Sequence, residues 1–182
     1  MADKATRTVQ SGTQSNGKLD VSALVLTALL AAAGFILNIT VGQALATTGI
    51  HPQFVIAAYC LAIIAIRPKV GQCVVLGLIC AVVAQLNTSI PGLNFLTEAC
   101  GSLVMGLFVN SAFKKSKAMP YVAAFVTTIV SGMLFAAVGN AMAGFEASML
   151  LVKLPVVIGT AAFNTIVVGL LAGPIAKAAN RK

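Results

Sequence analysis

The chain reads as an all-α, polytopic integral membrane protein: a six-transmembrane-helix bundle with both termini in the cytoplasm. Three observations carry that expectation. Hydrophobic residues fill 59% of the 182 positions and charged residues only 9%, against about 25% in an ordinary soluble domain. The 12 basic and 4 acidic side chains are too few to cover a soluble core of this size. Apolar runs recur six times near the length of about 20 residues that a spanning helix needs, and nearly all basic residues fall in alternate connections between them.

Residues 1–19, MADKATRTVQSGTQSNGKL, are polar and poor in bulky apolar groups, which predicts a disordered cytoplasmic tail. The apolar run that follows begins too late for a cleaved signal peptide. The membrane domain is expected over 20–178, with a short cytoplasmic end at 179–182. Its first span is Val21 to Val41. The second, Pro52 to Ile66, is short, with a re-entrant segment as its alternative. The third covers Val70 to Leu86, the fourth Leu93 to Phe113 and the fifth Tyr121 to Met142. The sixth, Leu150 to Ala176, is long enough to tilt. The connections RPK and KKSKAMP are short, so successive helices should run antiparallel. Pro52, Pro68, Pro91, Pro120 and Pro174 fall near predicted ends, as helix starts and stops should. Pro155 falls inside the first turns of the sixth span, where it marks either a break or a late start.

The loop charges test the count. Lys4, Arg7, Lys18, Arg67, Lys69, Lys114, Lys115, Lys117, Lys177, Arg181 and Lys182 share one side of a six-span arrangement, and only Lys153 of the 12 basic residues lies on the other. The positive-inside rule places the crowded side in the cytoplasm of a bacterial cell membrane. The net charge of +8 is therefore a topology signal. No basic face with interleaved aromatics exists, so nucleic acid is not an expected partner. Cys60, Cys73, Cys80 and Cys100 lie in or beside apolar runs, without a CxxC pair and with one histidine in the chain, so they read as small core residues and no metal is expected.

In the first span Ala28 and Ala32 are four apart and share a helix face. Small faces permit close helix approach in lipid, either within the bundle or against another membrane protein. Polar residues gather at the other ends of the spans. Asn38 and Gln43 end the first, and His51 and Gln53 open the second. Gln85 and Asn87 end the third, Asn94 and Glu98 open the fourth, and Asn140 ends the fifth. Lys153, Thr160 and Asn164 occupy the outer half of the sixth. Such a distribution fits a solvated cavity opening outward, in which Glu98 and Lys153 stay charged by pairing with each other or with a ligand. A carboxylate and an ammonium together suit a zwitterion such as an amino acid. Phe54, Tyr59, Phe95, Phe145 and Phe163 are the candidate aromatic walls. Lys153 and Asn164 are about 16 Å apart along one helix face, which would set them at the lip and floor of one pocket.

No HExxH or GxSxG motif occurs, and Asp20 and Glu98 belong to opposite sides, so a catalytic pair is not expected. A channel would need polar groups through the whole depth, and no inverted repeat of a secondary transporter is visible. No nucleotide-binding motif is present either.

The stretches LVLTALLAAAGFIL, FVIAAYCLAIIAIRPKVGQCVVLGLICAVVAQLNTSIPG and KLPVVIGTAAFNT resemble the substrate-binding membrane subunit, or S component, of energy-coupling factor (ECF) transporters, and within them the tryptophan-transporter family. The resemblance covers about residues 20–178. It implies a six-helix bundle with an outward pocket that captures a small substrate, most simply tryptophan. The alternatives are another small nutrient, such as a vitamin or aromatic precursor, and a structural membrane protein. It implies a transmembrane scaffold and two cytosolic ATPases as partners in the bilayer. ATP and magnesium would be bound by those ATPases, and no cofactor by this chain. The candidate substrate-binding residues are Asn38, Gln43, His51, Gln85, Asn87, Asn94, Glu98, Lys153 and Asn164. The docking motif of the family falls on Ala28 and Ala32, extended by Ala31.

Overall fold

A computed structural model describes residues 19–49 and 51–179, and every described helix belongs to one antiparallel membrane bundle. The helices are α1 (Val21–Ala46), α2 (Phe54–Ile66), α3 (Val70–Ala84), α4 (Leu93–Asn110), α5 (Met119–Met142) and α6 (Met149–Ala179). Five are long and apolar enough to cross a bilayer, and α2 is the short one. Six helices match the six expected spans. The expected tail lies outside the described residues up to position 18, while Leu19 is partly buried against the core. The C-terminal end likewise lies outside from position 180.

Local chemistry sets the helix ends. The Asp20 carboxylate accepts from the Ala23 amide at 2.8 Å and caps α1, satisfying one of the amides a helix start leaves free. Gly92 precedes α4 at φ 86°, a left-handed conformation that suits glycine. Arg67 closes α2 at φ 51°, and a 3-10 turn, Ala112–Lys115, joins α4 to α5. The last helix departs from the sequence expectation. It starts at Met149 and runs unbroken through both Pro155 and Pro174. Each proline removes one intrahelical hydrogen bond, and the extended packing of α6 along α5 carries the helix across the gap.

The centre of the bundle is α2. Twelve of its 13 residues, Phe54 to Ala65, are buried, as expected of a helix apolar on every side. It packs against α1, α3, α4 and α6. At about 20 Å it is shorter than a hydrocarbon core of about 30 Å, and surrounding protein rather than lipid covers it. The pairs α3–α4, α4–α5 and α5–α6 complete the ring. Two glycines let a neighbouring helix backbone come close. A Cβ on Gly34 of α1 would lie 2.8 Å from the Phe54 carbonyl oxygen, and one on Gly77 of α3 would lie 2.8 Å from that of Glu98.

Cys60, Cys73 and Cys80 are buried thiols in this core, and Cys100 is half-buried. The outer surface carries Leu24, Val25, Leu29, Leu151, Val152 and Leu170, all exposed, as a lipid-facing belt requires. Ala28 and Ala32 lie exposed on α1. Ala31 does not share that surface: at 1% exposure it packs into the core, because three residues along a helix from Ala28 still leave it rotated about 60° away.

Candidate functional site

The basic connections, with Arg67, Lys69, Lys114, Lys115 and Lys117, lie at one end of the bundle. At the other end a cavity of about 690 Å³ is lined by the end of α1, the linker to α2, the end of α3, the start of α4, α5 and the start of α6. Of the nine candidate substrate residues, Asn38, Gln43, His51, Asn87, Asn94, Glu98 and Lys153 line it. Gln85 and Asn164 are outside its lining.

Each wall has a local cause. Within α1 the residues Asn38–Gly42 form a π-helical turn, a feature that often marks functional positions in helices. From this turn the Asn38 side-chain oxygen accepts from the Phe54 amide at 2.8 Å, capping α2 across the linker. The linker is also fastened to α6. The Thr160 hydroxyl donates to the His51 carbonyl at 2.9 Å, and the Asn164 amide donates to the Gln53 carbonyl at 3.1 Å and to the Thr128 hydroxyl at 3.4 Å. Asn164 is thus fully buried behind the wall, holding it, rather than forming the pocket floor. Gln85 has a similar fate: its side-chain oxygen accepts from the Gly92 amide at 2.8 Å and shapes the turn before α4. In that turn the Thr88 hydroxyl donates to Asn94 Oδ1 at 3.4 Å.

Glu98 forms the deep end, at 6% exposure. The Ser131 hydroxyl lies 3.4 Å from both of its carboxyl oxygens, and the Thr97 hydroxyl is 3.5 Å from Oε1. The buried Tyr59 hydroxyl is close to this carboxyl without meeting hydrogen-bond geometry and has no partner. Lys153 is half-buried at the lip, its ammonium donating to Asn140 Oδ1. Among the described residues Lys153 and Glu98 form no ion pair with each other. The same cavity is lined by Ile56, Phe135, Phe145, Val156 and Val157.

Of the five aromatic candidates, only Phe145 lines the cavity. Phe54 and Phe163 meet edge to face at 5.6 Å elsewhere, Tyr59 is fully buried, and Phe95 is 40% exposed. Phe135, Thr128 and Ser131 also line the cavity, beyond the residues the sequence predicts. Their signal was present in the sequence: Thr128, Ser131, Gly132, Phe135, Ala136 and Gly139 follow a spacing of three and four on α5, one face of a helix. No group of histidine, cysteine or acidic residues among the described residues is placed to hold a metal ion.

A multi-pass helical bundle with a solute-sized, mostly apolar cavity and a few convergent polar groups defines a membrane protein with a small-molecule site. The chain belongs to the family described as Tryptophan transporter TrpP, which it matches over residues 20–180. This is a transporter family of the ECF S-component type, and its members are not enzymes. No curated protein and no solved structure matches the chain.

Proposed function

We propose that this chain is the solute-capturing subunit of an ECF importer and that its solute is tryptophan. One observation carries the reading: a half-buried lysine and a buried glutamate line one cavity together with apolar and aromatic side chains. The ammonium of Lys153 takes the solute carboxylate, Glu98 and Ser131 take its amine, and the indole lies against Phe135, Phe145 and the α6 valines. A volume of about 690 Å³ is within the usual range for small-molecule sites. Gln43, His51, Asn87 and Asn94 complete the polar rim.

The cavity faces outward and both termini are cytoplasmic. This orientation is supported by the basic connections, all at the end remote from the cavity. A transmembrane scaffold docks against α1 through Ala28 and Ala32, and two cytosolic ATPases supply ATP hydrolysis with magnesium.

The test is calorimetry on the purified chain in detergent, with tryptophan, other aromatic amino acids and water-soluble vitamins as the panel. Tryptophan binds, and Lys153→Gln and Glu98→Gln each weaken it about tenfold or more, the scale of one charged hydrogen bond. Undiminished tryptophan binding by both variants overturns the assigned site. Selective binding of a vitamin overturns the substrate.

A further inference from the structure

A lysine near the end of a spanning helix ordinarily extends its ammonium outward to water and headgroups. Lys153 does not. It is half-buried, it lines the cavity, and its Nζ donates to Oδ1 of Asn140, one helix away on α5. Asn140 itself is 3% exposed and is not part of the cavity lining. Lysine has donors only, so the amide must turn its oxygen toward the ammonium. That leaves the Asn140 Nδ2 group buried without a partner. The amide is oriented by the lysine at the expense of its own donor, which marks the contact as the one that fixes both side chains.

We infer that Asn140 is a positioning residue: it holds the Lys153 ammonium over the cavity, and recognition of a solute carboxylate depends on it without any contact to the solute. The inference rests on the reading of Lys153 as the carboxylate partner, and it adds the group that keeps Lys153 there. Without Asn140 the ammonium has a solvated alternative outside the pocket, and the charge that would select a carboxylate leaves the site.

Two readouts test this on the full chain in detergent. The first needs no solute. Reaction of Lys153 with a water-soluble amine reagent, located by peptide mass spectrometry, reports whether the ammonium is held inward. Labelling accelerates about tenfold in Asn140→Leu and in Asn140→Ser, whose hydroxyl is too short to reach Lys153, on the scale of one hydrogen bond to a charged group. Labelling is no faster than native in Asn140→Asp, which keeps an acceptor in place and favours the ammonium over the reactive free amine. The second readout compares tryptophan with tryptamine, which lacks the carboxylate. Asn140→Leu and Asn140→Ser lose the preference for tryptophan to the same extent as Lys153→Gln, and the double variant Asn140→Ser with Lys153→Gln loses no more.

Native labelling rates in both Asn140→Leu and Asn140→Ser overturn the inference. So does a retained tryptophan preference in those variants when Lys153→Gln has lost it, and in that case the reading of Lys153 stands. If the native chain binds no tryptophan, that reading falls, and the labelling rates alone decide the position of Lys153.

Discussion

The side-chain amide of Asn164 donates to the backbone carbonyl of Gln53, 111 positions earlier in the chain, at 3.1 Å. One turn up the same helix, Thr160 donates to the carbonyl of His51. Four residues of helix rise about 6 Å, and two residues of extended chain advance about 6.6 Å. The two spacings match, so one face of α6 holds alternate carbonyls of the linker like two rungs. Pro52 between them favours the extended backbone at His51 that this needs. Asn38 fixes the far end of the same segment through the Phe54 amide.

Replacing Asn164 by leucine keeps bulk but removes the donor that ties α6 to the Gln53 carbonyl, which still accepts from the Ile56 and Ala57 amides. The ligand-free chain should lose about 0.5–1.5 kcal/mol of stability, the net worth of one hydrogen bond. Thermal unfolding in detergent reads this directly, and an unchanged midpoint would contradict the fastening role.

Thr160 separates hydrogen bonding from shape. Thr160→Val removes the donor to His51 at nearly constant volume and should cost about 1 kcal/mol, whereas Thr160→Ser keeps the hydroxyl and most of the stability. Equal melting temperatures for the two variants would show that the hydroxyl is idle.

Gly77 governs how close α3 comes to α4 beneath Glu98. In Gly77→Ala the new Cβ meets the Glu98 carbonyl oxygen as well as the Ser102 side chain, and the expected loss is about 1–3 kcal/mol. The Ser102 Cβ and the Glu98 carbonyl oxygen both stay in the way when Ser102→Ala is added, so the native midpoint should not return. Full restoration would place the obstruction in the serine hydroxyl alone.

The alanines of α1 should behave as two classes. Ala28→Leu and Ala32→Leu alter an exposed face, so the isolated chain should keep its fold and its solute binding while co-purification with the scaffold subunit declines. Ala31→Leu overfills the core and should destabilise the isolated chain by about 1–3 kcal/mol. Normal scaffold association in the first pair would remove the docking role from this face.

The number of spans was legible in the sequence because apolar runs and loop charges constrain it independently. The gathering of polar groups at one end was equally legible, since alternating helix direction assigns each span end to a side. Which of those groups point into the cavity was not. Asn164 and Gln85 have the same composition signal as Asn94, and only the positions of the Gln53 carbonyl and the Gly92 amide decide that their side chains are occupied elsewhere. Ala31 is buried for a related reason: three residues from Ala28 lies near the same helix face, yet far enough round to turn inward. The π-helical turn at Asn38–Gly42 had no sequence signature, because it is fixed by the neighbours it must reach rather than by its own residue types.

The buried α2 also bears on how the molecule is made. This helix emerges second during synthesis, yet one of its principal neighbours is α6, the last helix described. A nascent chain that has just released α2 holds a segment too short to sit comfortably across a bilayer alone, with only α1 beside it. Its surroundings are completed when α6 arrives and Thr160 and Asn164 reach the linker. Assembly of the bundle centre therefore waits on the synthesis of α6, and the cavity comes into being at the same moment.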